Sequence, residues 1–225
     1  MAINKDIERV AAELAAQNNI STEYIRADMC VPEDIRAMVA ATEKRMGPVD
    51  ILINNAGVQF VAPLEQFPDE MWDKVIATNL SSVFHATKAV LPSMKARGYG
   101  RVVNIASAHG LVASHNKSAY VAAKHGVVGF TKTVALETAT THGVTVNAVC
   151  PGFVLTPLVQ AQIDARARER GVSSEVAAQD LLTKHPSGEF VTVEDLGNLV
   201  AFVCSPYTNQ LTGQALTMDA GWTAQ

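Results

Sequence analysis

Residues 118–126 read SAYVAAKHG, which sets Tyr120 and Lys124 four positions apart among small side chains. On a helix, positions i and i+4 share one face, with Cβ atoms about 5–6 Å apart. A free phenol titrates near pH ~10 and is a poor proton-transfer group at neutral pH. An ammonium fixed beside it stabilises the phenolate and lowers that pKa, so the pair could trade a proton with a substrate. The plainer alternative is a tyrosine packed at a helix start and a solvated lysine. Ser107 stands thirteen residues before Tyr120, at the end of the apolar run GRVVNIAS. A hydroxyl there could hold a substrate oxygen while Tyr120 gives or takes its proton. It is not a hydrolase nucleophile, because alanines flank it where the elbow motif needs Gly-x-Ser-x-Gly.

The elements that must position these groups follow from periodicity. Ile7, Val10, Ala11 and Leu14 recur at helical spacing and open the chain on an amphipathic helix. Strands are expected over 22–28, 50–57, 100–107, 143–152 and 213–221. Helices are expected from Pro32, over 69–97, over 118–141, as two segments across 156–184 broken near Gly171, and over 193–204. Strands alternating with helices predict a parallel sheet covered on both faces, and ligands of such sheets bind beyond the carboxyl ends of the strands. Ser107 falls at that edge.

Composition narrows the function. The 225 residues are 48% hydrophobic and 18% charged, with a net charge of −4, which gives no footprint for nucleic acid or a membrane surface. No apolar run is long enough to span a bilayer and the start lacks a signal-peptide core, so the expected place is the cytoplasm. Cys30, Cys150 and Cys204 are too scattered for a disulfide framework, and the histidines form no metal set; no metal is expected.

Ser107, Tyr120 and Lys124, taken with NNAG at 54–57, Asn79 and PG at 151–152, resemble the short-chain dehydrogenase/reductases from about residue 22 onward. The resemblance implies a Rossmann-like, doubly wound α/β fold and hydride transfer between a nicotinamide cofactor and a carbonyl/alcohol pair. It implies that Tyr120 is the acid/base, Ser107 orients the substrate oxygen, and Lys124 lowers the tyrosine pKa and holds the nicotinamide ribose. Asn79 would hold a water in a relay to Lys124. Cofactor contacts are implied for Asp28, Asn55, Ala56, Gly57, Tyr120, Lys124, Pro151, Gly152 and Thr156. NAD is the expected dinucleotide, with NADP left open, and a homotetramer is the expected assembly.

Three polar residues flank this set: Gln59, His109 and Lys117. Donors and a cation converging at the ligand edge would suit a small carboxylate. Singly, Lys117 could be a solvated loop lysine, and Gln59 and His109 loop-capping groups. The stretch 104–132, with NNAGVQF, TPLVQAQI and DAGWTAQ, is similar to the branch of the family that interconverts (R)-3-hydroxybutyrate and acetoacetate. That likeness implies that Gln59, His109, Lys117 and Gln162 grip the carboxylate and that Trp222 encloses the methyl end. Gln162 would ride on a helix able to close as a lid. Phe153 replaces a tryptophan common in these enzymes and Ala220 replaces the first glycine of a usual pair. Another 3-oxoacyl reductase, or a catalytically silent subunit that assembles with intact copies, remains the alternative.

The family's Gly-rich strand–turn–helix has no counterpart before residue 22. The expectation is therefore a single truncated domain over 1–225, whose sheet is amino-terminally incomplete and lacks its first two strands.

Overall fold

The computed structural model describes residues 2–141 and 143–224; Met1, His142 and Gln225 lie outside the described residues. Its centre is a parallel sheet of β1 (Ile51–Asn54), β2 (Gly100–Ile105), β3 (Val144–Pro151) and β4 (Ala215–Met218), paired in that order. Ile51 pairs with Arg101, Val102 with Val146, and Ala148 with Ala215. The sheet is the expected Rossmann-like α/β arrangement.

Side chains alternate across each strand, so neighbouring valines serve opposite faces. Val102 and Val146 pack under α2 (Pro32–Met46), α4 (Ser82–Arg97) and α5 (Ser118–Thr138), through Val39, Val90, Met94 and Val134. Val103 and Val149 meet Val203 of α8 (Val193–Cys204) on the other side. All eight residues of β3 are buried, as a strand covered on both faces requires.

The helices fall where the sequence puts them. The opening helix is α1 (Ala2–Asn18); the break at Gly171 separates α6 (Pro157–Arg170) from α7 (Ser174–Leu182). The stretch 69–97 is not one uniform helix, however. Between α3 (Asp69–Ile76) and α4 lies a π-helical turn, Ala77–Ser81, with Asn79 at its centre. Such turns widen a helix by one residue and recur at functional sites.

The expected strand over 22–28 is not formed: the segment joins no ladder. A strand exists only through its neighbour's backbone, and among the described residues no strand pairs with this segment. Thr22 donates its hydroxyl to the Ala11 carbonyl at 2.9 Å, and the Asp28 amide donates to the Asp34 carboxylate at 3.0 Å. Among the described residues no strand pairs with the outer edge of β1, where Ile51 and Ile53 are exposed.

Candidate active site

Ser107 follows β2 in fully extended backbone (φ −178°) and caps the short turn Ala108–Gly110, its oxygen accepting from the His109 amide at 3.1 Å. That turn lies hard against α5. A Cβ on Gly110 would stand 2.9 Å from the Lys124 carbonyl oxygen, so only glycine permits the approach. The Ser107 hydroxyl is near enough to the Tyr120 phenol to act on its pKa, so the two hydroxyls lie on the same side of the molecule.

Ala119 and Ala123 are fully buried, which lets this face of α5 sit close to the strand ends. Burial raises the Tyr120 pKa; the facing Ser107 hydroxyl opposes that shift. The sequence predicts a phenol acidified by Lys124, and the geometry differs. Lys124 Nζ lies 5.7 Å from the Tyr120 ring centre and donates to the Ile105 carbonyl at 2.7 Å. Burial of this ammonium pulls its own pKa down to about 8. Desolvation therefore outweighs the cation at this distance, and the phenol keeps its proton at neutral pH.

Asn79 is buried, and both ends of its amide are bonded to one residue. Oδ1 accepts from the Val58 amide and Nδ2 donates to the Val58 carbonyl, both at 2.8 Å. The side chain thus clamps the loop after β1 and keeps one N–H and one lone pair beyond these two bonds.

The substrate-side expectations come together. Gln162 Oε1 accepts from Lys117 Nζ at 3.2 Å and from Gln59 Nε2 at 3.4 Å. One oxygen on α6 therefore collects donors from two other loops. Burial, reinforced by Lys184 and Arg166, lowers the Lys117 pKa to about 8. Phe153 stacks on Trp222 with ring centres 5.1 Å apart, and His109 meets the same indole edge-on at 4.9 Å. Burial, then the cations Lys117 and Lys184, drives the His109 pKa down to about 3, so the imidazole is neutral. A cavity of about 580 Å³ opens here, lined by Lys117, Phe153, Gln162, Arg166 and Lys184.

Three neighbours escaped the sequence reading: Ser114, Lys184 and His185. Ser114 Oγ bridges Lys184 Nζ at 2.5 Å and His109 Nε2 at 2.8 Å. His185 accepts from the Phe153 amide at 2.9 Å and donates from Nδ1 to the Glu189 carbonyl at 2.7 Å. Lys184 and Ser114 are 70 positions apart, so no spacing signal links them.

Of the expected cofactor residues, Asp28 lines a separate cleft and the others lie at the ends of β1 and β3, on α5 and at the start of α6. Asn55, Ala56 and Gly57 are exposed directly after β1, and Asp28 is exposed beside Cys30 and Val58 in a cavity of about 650 Å³. The Asp28 carboxylate accepts from the Cys30 amide at 2.8 Å. Pro151 and Gly152 end β3, and Thr156 caps α6 by accepting from the Val159 amide at 3.5 Å. Lys124 keeps two N–H donors beyond its bond to the Ile105 carbonyl and Asp28 keeps an exposed carboxylate, a donor and an acceptor that suit the ribose hydroxyls of a dinucleotide.

A family model described as short chain dehydrogenase matches residues 1–167. The sequence is 53% identical to a D-beta-hydroxybutyrate dehydrogenase of Cupriavidus necator over 222 residues, covering 98% of this chain and 86% of the other. It is 51% identical to a protein of the same name from Rhizobium meliloti over 221 residues, covering 98% and 85%. The fold superposes on a crystal structure of an actinorhodin polyketide ketoreductase variant with NADPH at a TM-score of 0.84, with 41% identity over 88% of this chain and 77% of that one. With the serine, tyrosine and lysine on one parallel sheet edge and the match running through all of them, the chain belongs to the short-chain dehydrogenase family.

Proposed function

We propose that this chain is an NAD-dependent oxidoreductase that interconverts (R)-3-hydroxybutyrate and acetoacetate. The observation that carries the substrate is the convergence of Lys117 and Gln59 on one oxygen, Gln162 Oε1, beside a cavity lined by Lys117, Gln162 and Phe153, with Trp222 stacked behind Phe153. A carboxylate oxygen could take the place of that amide oxygen, gaining the charge-assisted bond to Lys117 that a neutral amide lacks. Two relatives, at 53% and 51% identity, carry the matching name.

In the direction of reduction, the ketone oxygen accepts from the Ser107 and Tyr120 hydroxyls. Asn55, Ala56, Gly57, Lys124, Pro151, Gly152 and Thr156 would hold the nicotinamide cofactor, which would supply the hydride. Tyr120, protonated at neutral pH because it is buried, gives its proton to the oxygen as charge grows there. Lys124, still an ammonium below its pKa of about 8, offsets the charge left on the phenolate once it turns from the Ile105 carbonyl. Oxidation of the alcohol runs the same steps backwards. Phe153 and Trp222 exclude water from this exchange.

The same reading takes one domain as the catalytic unit, NAD through the Asp28 carboxylate, the cytoplasm as its place, and a homotetramer as its assembly. Phe84 and Leu136 stand exposed on α4 and α5, which supports pairing through those helices. The test is an assay with each cofactor and each substrate. NADH formation from (R)-3-hydroxybutyrate, with little from the (S) form, is the expected result. Activity on bulky 3-oxoacyl thioesters with none on 3-hydroxybutyrate would replace the proposal with an acyl reductase, and binding of neither dinucleotide would leave a silent subunit.

A further inference from the structure

Two side chains from outside the expected set, Lys184 and Ser114, reach His109 in a hydrogen-bonded chain. Lys184 Nζ donates to Ser114 Oγ at 2.5 Å, and the same oxygen lies 2.8 Å from His109 Nε2. Lys184 is itself held over the Trp222 ring at 4.8 Å, and that ring packs against the His109 edge at 4.9 Å. His109 is buried, so the chain fixes both the plane of the imidazole and the partner of one ring nitrogen.

A neutral imidazole has one N–H and one bare nitrogen, and its neighbour decides which is which. Ser114 Oγ already receives a hydrogen from the ammonium. Accepting polarises a hydroxyl and makes it a stronger donor and a weaker acceptor. Among the described residues, His109 Nε2 is the one acceptor within reach of the Ser114 hydrogen. If Nε2 carried its own hydrogen instead, Ser114 Oγ would face two donors and its hydrogen would have no protein partner. The bare nitrogen is thus Nε2, and the N–H is at Nδ1, which bonds to no described residue.

We infer that Ser114 and Lys184 are positioning residues that hold His109 as the Nδ1–H tautomer, so that Nδ1 offers a hydrogen to the substrate's oxygen. The inference rests on the proposed 3-oxo/3-hydroxy acid chemistry for the identity of that oxygen. The tautomer itself does not depend on it. A second consequence concerns selectivity: a fixed donor rewards an oxygen acceptor at that spot and leaves an amine or ammonium group facing a hydrogen.

The direct test is a long-range proton–nitrogen correlation spectrum of the labelled whole chain, with the His109 signals assigned by their loss in His109→Gln. The expected wild-type pattern has the hydrogen on Nδ1, and Ser114→Ala should convert it to a mixture or to the Nε2–H form. Kinetically, Ser114→Ala should raise KM for 3-hydroxybutyrate about tenfold with a much smaller change in kcat, the loss expected for one misdirected hydrogen bond. Ser114→Thr, which keeps the hydroxyl, should restore both pattern and KM, and Lys184→Met should shift the tautomer in the same sense as Ser114→Ala. A wild-type Nε2–H pattern, or a KM in Ser114→Ala equal to wild type, overturns the inference. An inactive wild type with the Nδ1–H pattern would sink the proposed reaction and leave the tautomer standing.

Discussion

A Cβ placed on Gly152 would lie 2.5 Å from His185 Nε2, the atom that accepts the Phe153 amide hydrogen at 2.9 Å. The PG pair at the end of β3 is therefore cut to the shape of a histidine more than thirty residues away. That histidine aims Phe153 at Trp222. Gly152→Ala must push the imidazole aside and strand a buried amide, at a cost of about 1–3 kcal/mol. A lower Tm and a raised KM for the substrate are the expected results; a variant with both unchanged would show that the contact is relieved without moving His185.

Tyr120→Phe removes the proton donor and nothing else from a face lined by small side chains. Turnover should fall by about 10²–10⁴-fold, the usual worth of a placed acid, while the dissociation constant for NADH stays near wild type. Ser107→Ala should cost less, because Tyr120 still reaches the oxygen. Equal losses in the two variants, or an unchanged rate in Tyr120→Phe, would displace Tyr120 from the proton-transfer role.

Much of this was legible before the fold. Strands β1 to β4 announce themselves as apolar runs ending in turn residues, and the i, i+4 pair in α5 marks chemistry without any coordinates. What the sequence hides is partnership. The segment 22–28 has strand composition yet joins no ladder, because composition cannot supply a neighbour. Asn79 gives no sign in the sequence of the clamp it makes on the loop after β1, where both ends of its amide bond Val58. The Tyr120–Lys124 spacing implies acidification, yet a 5.7 Å offset and burial reverse the sign. Lys184, Ser114 and His185 arrive from distant loops and leave no periodic trace.

The pH dependence of catalysis follows from two ammoniums, the buried Lys124 and the half-buried Lys117. Lys124 and Lys117 both have pKa values lowered to about 8. Each is charged below that pH and neutral above it. Loss of charge on Lys124 removes support for the phenolate, so kcat for ketone reduction should fall as pH rises through about 8. Loss of charge on Lys117 weakens carboxylate capture, so KM should rise over the same range. Lys117→Met should abolish the pH dependence of KM alone. A KM in that variant that still climbs near pH 8 would assign the effect elsewhere.

Ala220 sits at φ 55°, in the left-handed region that L side chains avoid and glycine adopts freely. The Cβ there costs about 1–2 kcal/mol, partly offset by the lower chain entropy of alanine in the unfolded state. Ala220→Gly should therefore stabilise the chain by roughly 0.5–1 kcal/mol, read as a higher midpoint in denaturant. Since Ala220 is two residues from Trp222, a change in KM without a gain in stability would mean that the strained turn serves the site instead of merely being tolerated.

Lys117 links stability to function most directly. Its folded pKa lies below its ordinary value because burial and the cations Lys184 and Arg166 disfavour its charge. Below pH ~8 the lysine is charged in both folded and unfolded chains, so the folded state bears the full penalty. As pH climbs from about 8 toward the ordinary lysine value, the folded chain holds fewer protons than the unfolded one, and stability rises with pH. Lys117→Met should remove the penalty and raise Tm at neutral pH by roughly 2–4 °C for each kcal/mol relieved, with the gain shrinking in alkali. The same substitution deprives Gln162 Oε1 of its charged donor and should raise KM for a carboxylate substrate about tenfold or more. A more stable protein that binds its substrate less well is the signature of a cation kept buried for the ligand. A variant that is less stable at neutral pH would instead make Lys117 a structural tie between its loop and α6.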